Sequence, residues 1–156
     1  MAGAHFPALG LLVVGVDGSA SARTAVLWAA TEADMRGWLH IVHACDSEHR
    51  THYLSPADVA RVHRAGHGLL EATTEAVTAR HSALPVSNEL SRDAPASSLA
   101  RAASRRDTIV VGHRGLGGFS SLLLGSVGLK AAAGAVTPVV VVRDGGEPAE
   151  AGRLKA

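Results

Sequence analysis

The sequence predicts an α/β fold: an open sheet of five mainly parallel strands with helices on both faces. Three observations carry this expectation. Short apolar runs rich in β-branched residues recur along the chain, and strands apolar on both faces belong to parallel sheets covered by helices. Between the runs lie stretches whose apolar residues fall at helical spacing. The resulting order, β-α-β-α-β-α-β-loop-α-β, is the alternation that builds a parallel sheet.

The first run, Leu11-Leu12-Val13-Val14-Gly15-Val16, is closed by Asp17-Gly18-Ser19. Ser19 suits the N-cap of a helix over residues 20–35, in which Ala22, Ala25, Val26, Ala29, Ala30 and Ala33 share a face. Gly37 ends that helix, and residues 39–44 form the second strand. Ser55-Pro56 opens a long helix to about residue 80, since proline suits a first turn; Gly66 and Gly68 are expected to interrupt it. Residues 86–90 alternate apolar and polar as a half-exposed strand does. Residues 95–104 are helical, and 108–111 make another buried strand that runs straight into a cluster of glycines. A short helix over 126–134 precedes the last strand, Val139 to Val142. Residues 1–143 are expected to form one domain without an internal repeat. Residues 144–156, polar and holding two glycines and a proline, are expected to be a flexible tail.

Composition sets bounds on function. The chain has 156 residues, 47% apolar and 19% charged, which is a globular composition with enough length to bury a core. Aromatic residues make up only 3%, which argues against gripping single-stranded nucleic acid by base stacking. The net charge is +1 and no basic run exceeds Arg105-Arg106, so the basic stripe that duplex binding requires is absent. Cys45 is the sole cysteine and cannot form a disulfide within the chain, which suits a reducing compartment. The apolar stretch 8–16 is too short to span a bilayer. The expectation is a soluble cytoplasmic protein that binds neither nucleic acid nor membrane.

The chemistry concentrates near the C-terminal end. Gly112, Gly115, Gly117, Gly118 and Gly125 fall within a single 14-residue stretch of a chain with 17 glycines. Glycine loses more backbone entropy on folding than any other residue, so such a cluster asks for a reason. The spacing G-x2-G-x9-G-S is formed by Gly112, Gly115, Gly125 and Ser126. Gly112 and Gly115 would let the backbone turn sharply against a ligand. Gly125-Ser126 would enter a helix whose unpaired first amides, with the Ser126 hydroxyl, suit phosphate. Ligands of open α/β sheets sit beyond the carboxyl ends of the strands, where strand order reverses. Asp17 ends the first strand and Gly112 the fourth, and Asp17 could accept hydrogen bonds from ribose hydroxyls. No G-x4-G-K-[ST] pattern is present, so no lysine is placed at the phosphates as in P-loop enzymes; Lys130 lies about one turn past Ser126.

With these residues in view, the chain resembles the universal stress protein family, in the branch that binds ATP. The matching stretches are Val14-Gly15-Val16-Asp17-Gly18-Ser19, Ile41-Val42-His43-Ala44, Arg92-Asp93-Ala94-Pro95-Ala96, the G-x2-G-x9-G-S run and Thr137-Pro138-Val139-Val140-Val141-Val142. They occur in family order across residues 9–143. The resemblance implies a Rossmann-like fold, of the adenine nucleotide alpha hydrolase type, with strand order 3-2-1-4-5. It implies that Asp17 faces ribose and adenine, with Gly15 and Val16 lining the approach and Ala44 meeting adenine through its backbone. Val111 and Gly112 would pack beneath the nucleoside. Gly115, Gly125, Ser126 and Val127 would bind phosphates. The implied ligand is ATP, ADP or AMP, with Mg²⁺ or Mn²⁺ on the phosphates.

Gly128 stands where many ATP-binding members carry a second hydroxyl residue, and Gly134, Ala135 and Thr137 depart from the family near the last helix. The alternative is a dimeric interaction module with an empty or vestigial pocket. His113, inside the glycine stretch, contacts phosphate or faces water. His63 and His67 share a helix face but lack a third ligand pattern. The four valines 139–142, read as an edge strand, expose backbone and apolar side chains, which favours a homodimer through that edge. The opposite edge, residues 86–90, is interrupted by polar residues.

Overall fold

The structure, a computed structural model, describes residues 10–50, 52–113, 137–143 and 148–149. The helix predicted over 126–134 and site residues Gly115, Gly125, Ser126 and Val127, with Lys130, lie outside the described residues.

The central strand is β1 (Leu12–Gly15), apolar on both faces. It is followed by α1 (Ala20–Arg36), β2 (Leu39–Ala44), the short α2 (Ser47–Arg50), α3 (Pro56–Arg80), β3 (Val86–Ser91), α4 (Pro95–Ala102), β4 (Thr108–Gly112), β5 (Val139–Val142) and β6 (Pro148–Ala149). The sheet order is β3-β2-β1-β4-β5-β6. The first five strands are parallel in the predicted order 3-2-1-4-5, with Val14 beside Ile41 on one side and beside Val110 on the other.

Two apolar layers sandwich this sheet. On one face Leu12, Val14, Ile41, Val110 and Val140 meet α1 and α3; on the other Val13, Val42, Ile109, Val111 and Val139 meet Leu99 of α4. Alternate residues of each strand thus serve opposite layers, as the period of two requires. α1 has almost no amphipathic contrast, because its buried stripe is built from alanines: Ala25, Ala29, Ala30 and Ala33 are each fully buried. Methyl groups let the helix axis lie close to the sheet. Its N-cap is Ser19, whose Oγ accepts from the Ala22 amide, and Gly37 closes it in the left-handed conformation.

α3 runs unbroken through Gly66 and Gly68, contrary to the expected interruption. Gly66 is buried against β2 and β3, and a Cβ there would lie 2.6 Å from Leu90 Cδ1 and 3.0 Å from His43 Cδ2. Its glycine serves close helix–sheet approach, not a break. The helix is started by a capping box between Ser55 and Asp58 with Pro56 in the first turn. At the amino end of the sheet, Asp107 is 6% exposed; its Oδ1 accepts from the Leu11 amide and its Oδ2 from the Ser104 amide.

The sheet edge differs from expectation. β5 is not the last strand: β6 pairs antiparallel along it, with Val141 beside Ala149 and Val142 beside Pro148. Nor are the valine side chains exposed, since Val139, Val140, Val141 and Val142 are all buried. The alternation that sends them in turn to both layers covers them within one chain, leaving only backbone groups at the edge.

Candidate functional site

β1 has β2 on one side and β4 on the other, so successive crossovers leave it in opposite directions and a crevice opens beyond its carboxyl end. Seven predicted site residues are described, and all lie at the carboxyl ends of β1, β2 and β4: Gly15, Val16, Asp17, Ala44, Val111, Gly112 and His113. They do not all face the same way.

Gly15 belongs to the α4 side of the sheet, where a Cβ would come within 3.3 Å of both methyls of Leu99. Val42 and Val111 lie on that side with Leu99, and Ala44 follows Val42 by two residues along β2. This is an apolar floor roofed by α4. Val16, in contrast, is buried in the layer between α1 and α3, so it can address a ligand on the α4 side only through its backbone.

Asp17 starts a tight turn closed by its own side chain, Oδ1 accepting from the Ser19 amide at 2.9 Å. The turn residue and the candidate ribose ligand are therefore one residue, half-buried at the crevice. Val16 N–H donates to Val42 O at 2.9 Å, the last β1–β2 ladder bond. Beyond it, Val16 O lies 2.8 Å from His43 Nδ1. A carbonyl only accepts, so His43 must carry its proton on Nδ1. His43 thereby ties the end of β1 to β2 and, through its packing on Gly66, to α3.

Gly112 is glycine for a reason the sequence did not reveal. A Cβ there would lie 2.7 Å from the Ser21 carbonyl oxygen and 2.8 Å from its carbon. The first turn of α1 rests directly on the end of β4, so close backbone packing by itself already demands the missing side chain. His113 follows: its amide donates to Val142 O at 3.1 Å, and its Nδ1 lies 3.4 Å from Ser21 Oγ. The imidazole thus bridges the β1–α1 turn and the end of β4. Ser21, buried in α1's first turn, and Leu99 are the contributors that sequence reasoning missed. Leu99 has no signal beyond an apolar position in a helix, and Ser21 none beyond its place two residues after a cap.

At the β3 end, Ser91 Oγ gathers the Ser98 hydroxyl at 2.7 Å, Arg101 Nη2 at 3.2 Å and the Asp93 amide at 3.2 Å. Asp93, paired with Arg101, holds that guanidinium above its ordinary pKa. This network fixes the entry to α4 and hence the position of Leu99. Cys45 is buried, with its thiol 3.4 Å from Ser91 O. Thr137 is placed at the other end of the sheet, donating to Ser104 O at 2.8 Å.

Among the described residues no group of three histidine, cysteine or acidic side chains could hold a metal ion. His63 is engaged with Ser47 Oγ at 2.9 Å and His67 is exposed. A groove of about 190 Å³ between α1 and α3 runs along Ala22, Val26, Leu69 and Ala76. Its wall, on the face opposite α4, is mostly apolar, with Ser19, Arg23 and Thr73 as its polar members. No helix among the described residues is long and apolar enough to cross a membrane.

Comparison with known proteins agrees with this geometry. A model of the universal stress protein family matches residues 11–143. Universal stress protein Rv2624c of Mycobacterium tuberculosis is 31% identical over 144 residues, covering 92% of this chain and 52% of the relative. A universal stress protein of Mycolicibacterium smegmatis is 33% identical over 143 residues, covering 85% of this chain and 45% of its own length. The chain thus spans about half the length of these curated relatives. Among solved structures, a universal stress protein in complex with cAMP aligns with a TM-score of 0.58 at 27% identity, over 85% of this chain and 95% of that one. UspA from Lactobacillus plantarum aligns with a TM-score of 0.72 at 22% identity, over 86% and 98%, and shares the fold.

Proposed function

Since the chain belongs to the universal stress protein family, we propose that it is an ATP-binding regulatory protein of the stress response, with residues 1–143 as a single nucleotide-binding domain. The observation that carries this reading is the convergence of three strand ends on one crevice: β1 at Gly15 and the Asp17 turn, β2 at Ala44, and β4 at Val111 and Gly112. A solved family member at 27% identity holds cAMP, an adenine nucleotide.

In this reading the adenine lies on the apolar floor, with Val111 beneath it and the backbone of Ala44 at its edge. Asp17 accepts hydrogen bonds from the ribose, with Gly15 and the Val16 backbone alongside. Gly112 and His113 lead into the phosphate-binding stretch, where Gly115, Gly125, Ser126 and Val127 offer main-chain amides. Mg²⁺ or Mn²⁺ would draw its ligands chiefly from the phosphates and water, as such ions do when few carboxylates are at hand. Hydrolysis is read as slow or absent, because the sequence holds no G-x4-G-K-[ST] pattern and the described residues of the crevice present no evident positioned base. ADP and AMP are the alternative residents of the same crevice. The protein is read as cytoplasmic, as making no use of nucleic acid, and as forming a homodimer through the edge of β5.

The test is mass spectrometry of purified protein denatured directly from the column, followed by equilibrium dialysis against labelled ATP. Release of an adenine nucleotide near one equivalent is expected. A chain that releases none and retains none in dialysis would instead be the interaction module with a vestigial pocket, the reading that Gly128 favours. Multiple turnover at about 1 per second, an ordinary enzyme rate, would overturn the regulatory reading.

A further inference from the structure

We propose that Ser87 is an activated nucleophile on the α4 side of the sheet, served by His40 and Glu89, and that it cleaves small activated carboxylic esters. This second site stands apart from the nucleotide crevice. His40 precedes Ala44 by four residues of β2, about 13 Å along the strand.

The strand period brings these residues to one face. Val42 lies in the α4 layer, so His40, two residues earlier, points to the same side. Ser87 stands beside His40 and Glu89 beside Val42 in the β2–β3 register. α4 covers the carboxyl half of this face through Ser98, which donates to Ser91, and through Leu99. In the amino half His40 and Ser87 are half-buried, Glu89 is exposed, and the Trp38 indole is 50% exposed. His40 Nδ1 lies 2.7 Å from Ser87 Oγ, and its Nε2 lies 3.6 Å from a Glu89 carboxylate oxygen. A carboxylate attracts a proton, so Glu89 draws the imidazole proton to Nε2 and leaves Nδ1 as the acceptor. The Ser87 hydroxyl then donates to Nδ1. Trp38 Nε1, which can only donate, lies 3.3 Å from the same hydroxyl oxygen and stabilises negative charge there as the proton leaves. A cross-strand Ser–His pair alone is ordinary sheet chemistry. The carboxylate behind the base and the donor on the nucleophile set this one apart, in the order that activated serines share on unrelated folds.

The strand edge supplies a donor for the substrate. Leu39 N–H donates to Pro85 O and Cys45 N–H to Ser91 O. In a parallel ladder every second residue turns its N–H and C=O to the same neighbour. Ser87 and Glu89 therefore serve β2, and Asn88 turns its amide to the outer edge, where β3 ends the sheet among the described residues. That amide follows the nucleophile directly and is unused by the sheet, as is the oxyanion donor after the serine of other hydrolases. One amide is a weaker cradle than the usual pair, which confines the site to esters with good leaving groups. In acylation Ser87 Oγ bonds to the carbonyl carbon and its proton passes to His40 Nδ1. The bond to the leaving oxygen then breaks, and that oxygen takes the proton from Nδ1. Water repeats the sequence: its oxygen bonds to the acyl carbon, its proton goes to Nδ1, and Ser87 Oγ leaves and recovers that proton.

Incubation of the full chain with a fluorophosphonate probe, followed by peptide mass spectrometry, tests this. The Ser87 oxygen displaces fluoride from phosphorus, and its proton passes to His40. Label is expected on Ser87, and both Ser87→Ala and His40→Ala should lose it. Should His40→Ala misfold, His40→Gln fills much of the same space without a base and should lose the label likewise. Steady-state hydrolysis of p-nitrophenyl acetate is the second measurement. Ser87→Ala keeps all nine histidines and so sets the background that histidines give by themselves. The parent should exceed that background ~100-fold in kcat/KM, the lower range of general-base catalysis. Glu89 is a positioning residue: Glu89→Ala should lower kcat with KM unchanged, and Glu89→Asp should recover part of the rate. A parent whose Ser87 takes no label, or ester hydrolysis undiminished in Ser87→Ala, overturns the proposal. Labelling of Ser87 without ester turnover overturns the hydrolytic step and leaves the nucleophile standing.

Discussion

Two aspartates stand at opposite ends of the central strands, and their surroundings assign them opposite tasks. Asp107, at the amino end, is buried with each carboxylate oxygen accepting a backbone amide from a different segment, Leu11 and Ser104. Asp17, at the carboxyl end, is half-buried and closes its own turn with the Ser19 amide. The first is a staple between β1 and the start of β4; the second sits at the rim of the proposed crevice. The Leu11 bond makes Asp107 a tie between segments far apart in the chain, whereas the Asp17–Ser19 bond spans two residues at the rim of the proposed crevice.

Breaking the staple should have the largest effect. Asp107→Ala removes two charge-assisted bonds of about 1.5–3 kcal/mol each and leaves two amides unpaired. A loss of about 3–5 kcal/mol is expected in urea unfolding, with nucleotide retention by the surviving folded fraction unchanged. Gly112→Ala comes next. It forces a methyl into the Ser21 backbone, and overpacking of this kind costs about 1–3 kcal/mol. Because the clash lies behind the crevice, both stability and ligand retention should fall; stability unchanged in the variant would show that α1 does not rest on β4 as described.

Asp17→Asn should reverse the pattern. Unfolding stability is expected within about 0.5 kcal/mol of the parent, while the dissociation constant for ATP rises ~10-fold, equal to about 1.4 kcal/mol. If Asp17→Asn destabilises as strongly as Asp107→Ala and binds ATP normally, the contrast between the two ends fails.

The smallest effect is expected at a third carboxylate. Asp58, partly exposed at the start of α3, is held below the ordinary carboxylate pKa by its bond with Ser55, then by Arg61. A folded-state pKa below the unfolded value adds stability that is complete above about 3.8, the unperturbed value, and fades as pH falls through the lowered one. Ser55→Ala should lower the melting temperature by a few degrees at neutral pH, and the difference from the parent should shrink below pH ~4.

The strands are legible in the sequence because a parallel sheet buried on both faces admits little but Val, Ile and Leu, and residues 12–14, 109–111 and 139–142 show it plainly. The Ser19 and Ser55 caps are legible because a capping hydroxyl acts within its own turn. Glycines are harder to read. The sequence marks Gly66 as a break and Gly112 as ligand clearance. Gly66 instead permits close contact with His43 and Leu90, and Gly112 also permits one with Ser21; no local pattern announces a contact between segments far apart in the chain. β6 escapes for a related reason: two residues with one proline carry no strand periodicity, and only the vacant edge of β5 makes them a strand. At the crevice, the residues on strand ends follow from the fold class, whereas Leu99 and Ser21 enter only through helix placement.

The lone cysteine turns one of these features into a tool. Cys45 adjoins Ala44 at the proposed adenine edge; the residue is 6% exposed, with its thiol against Ser91 O at the end of β3. A thiol so enclosed reacts with a bulky disulfide reagent only during excursions that part the strand ends. Its modification rate therefore acts as an intrinsic clock for breathing at that corner, read without introducing any label, and an occupant of the crevice would slow it.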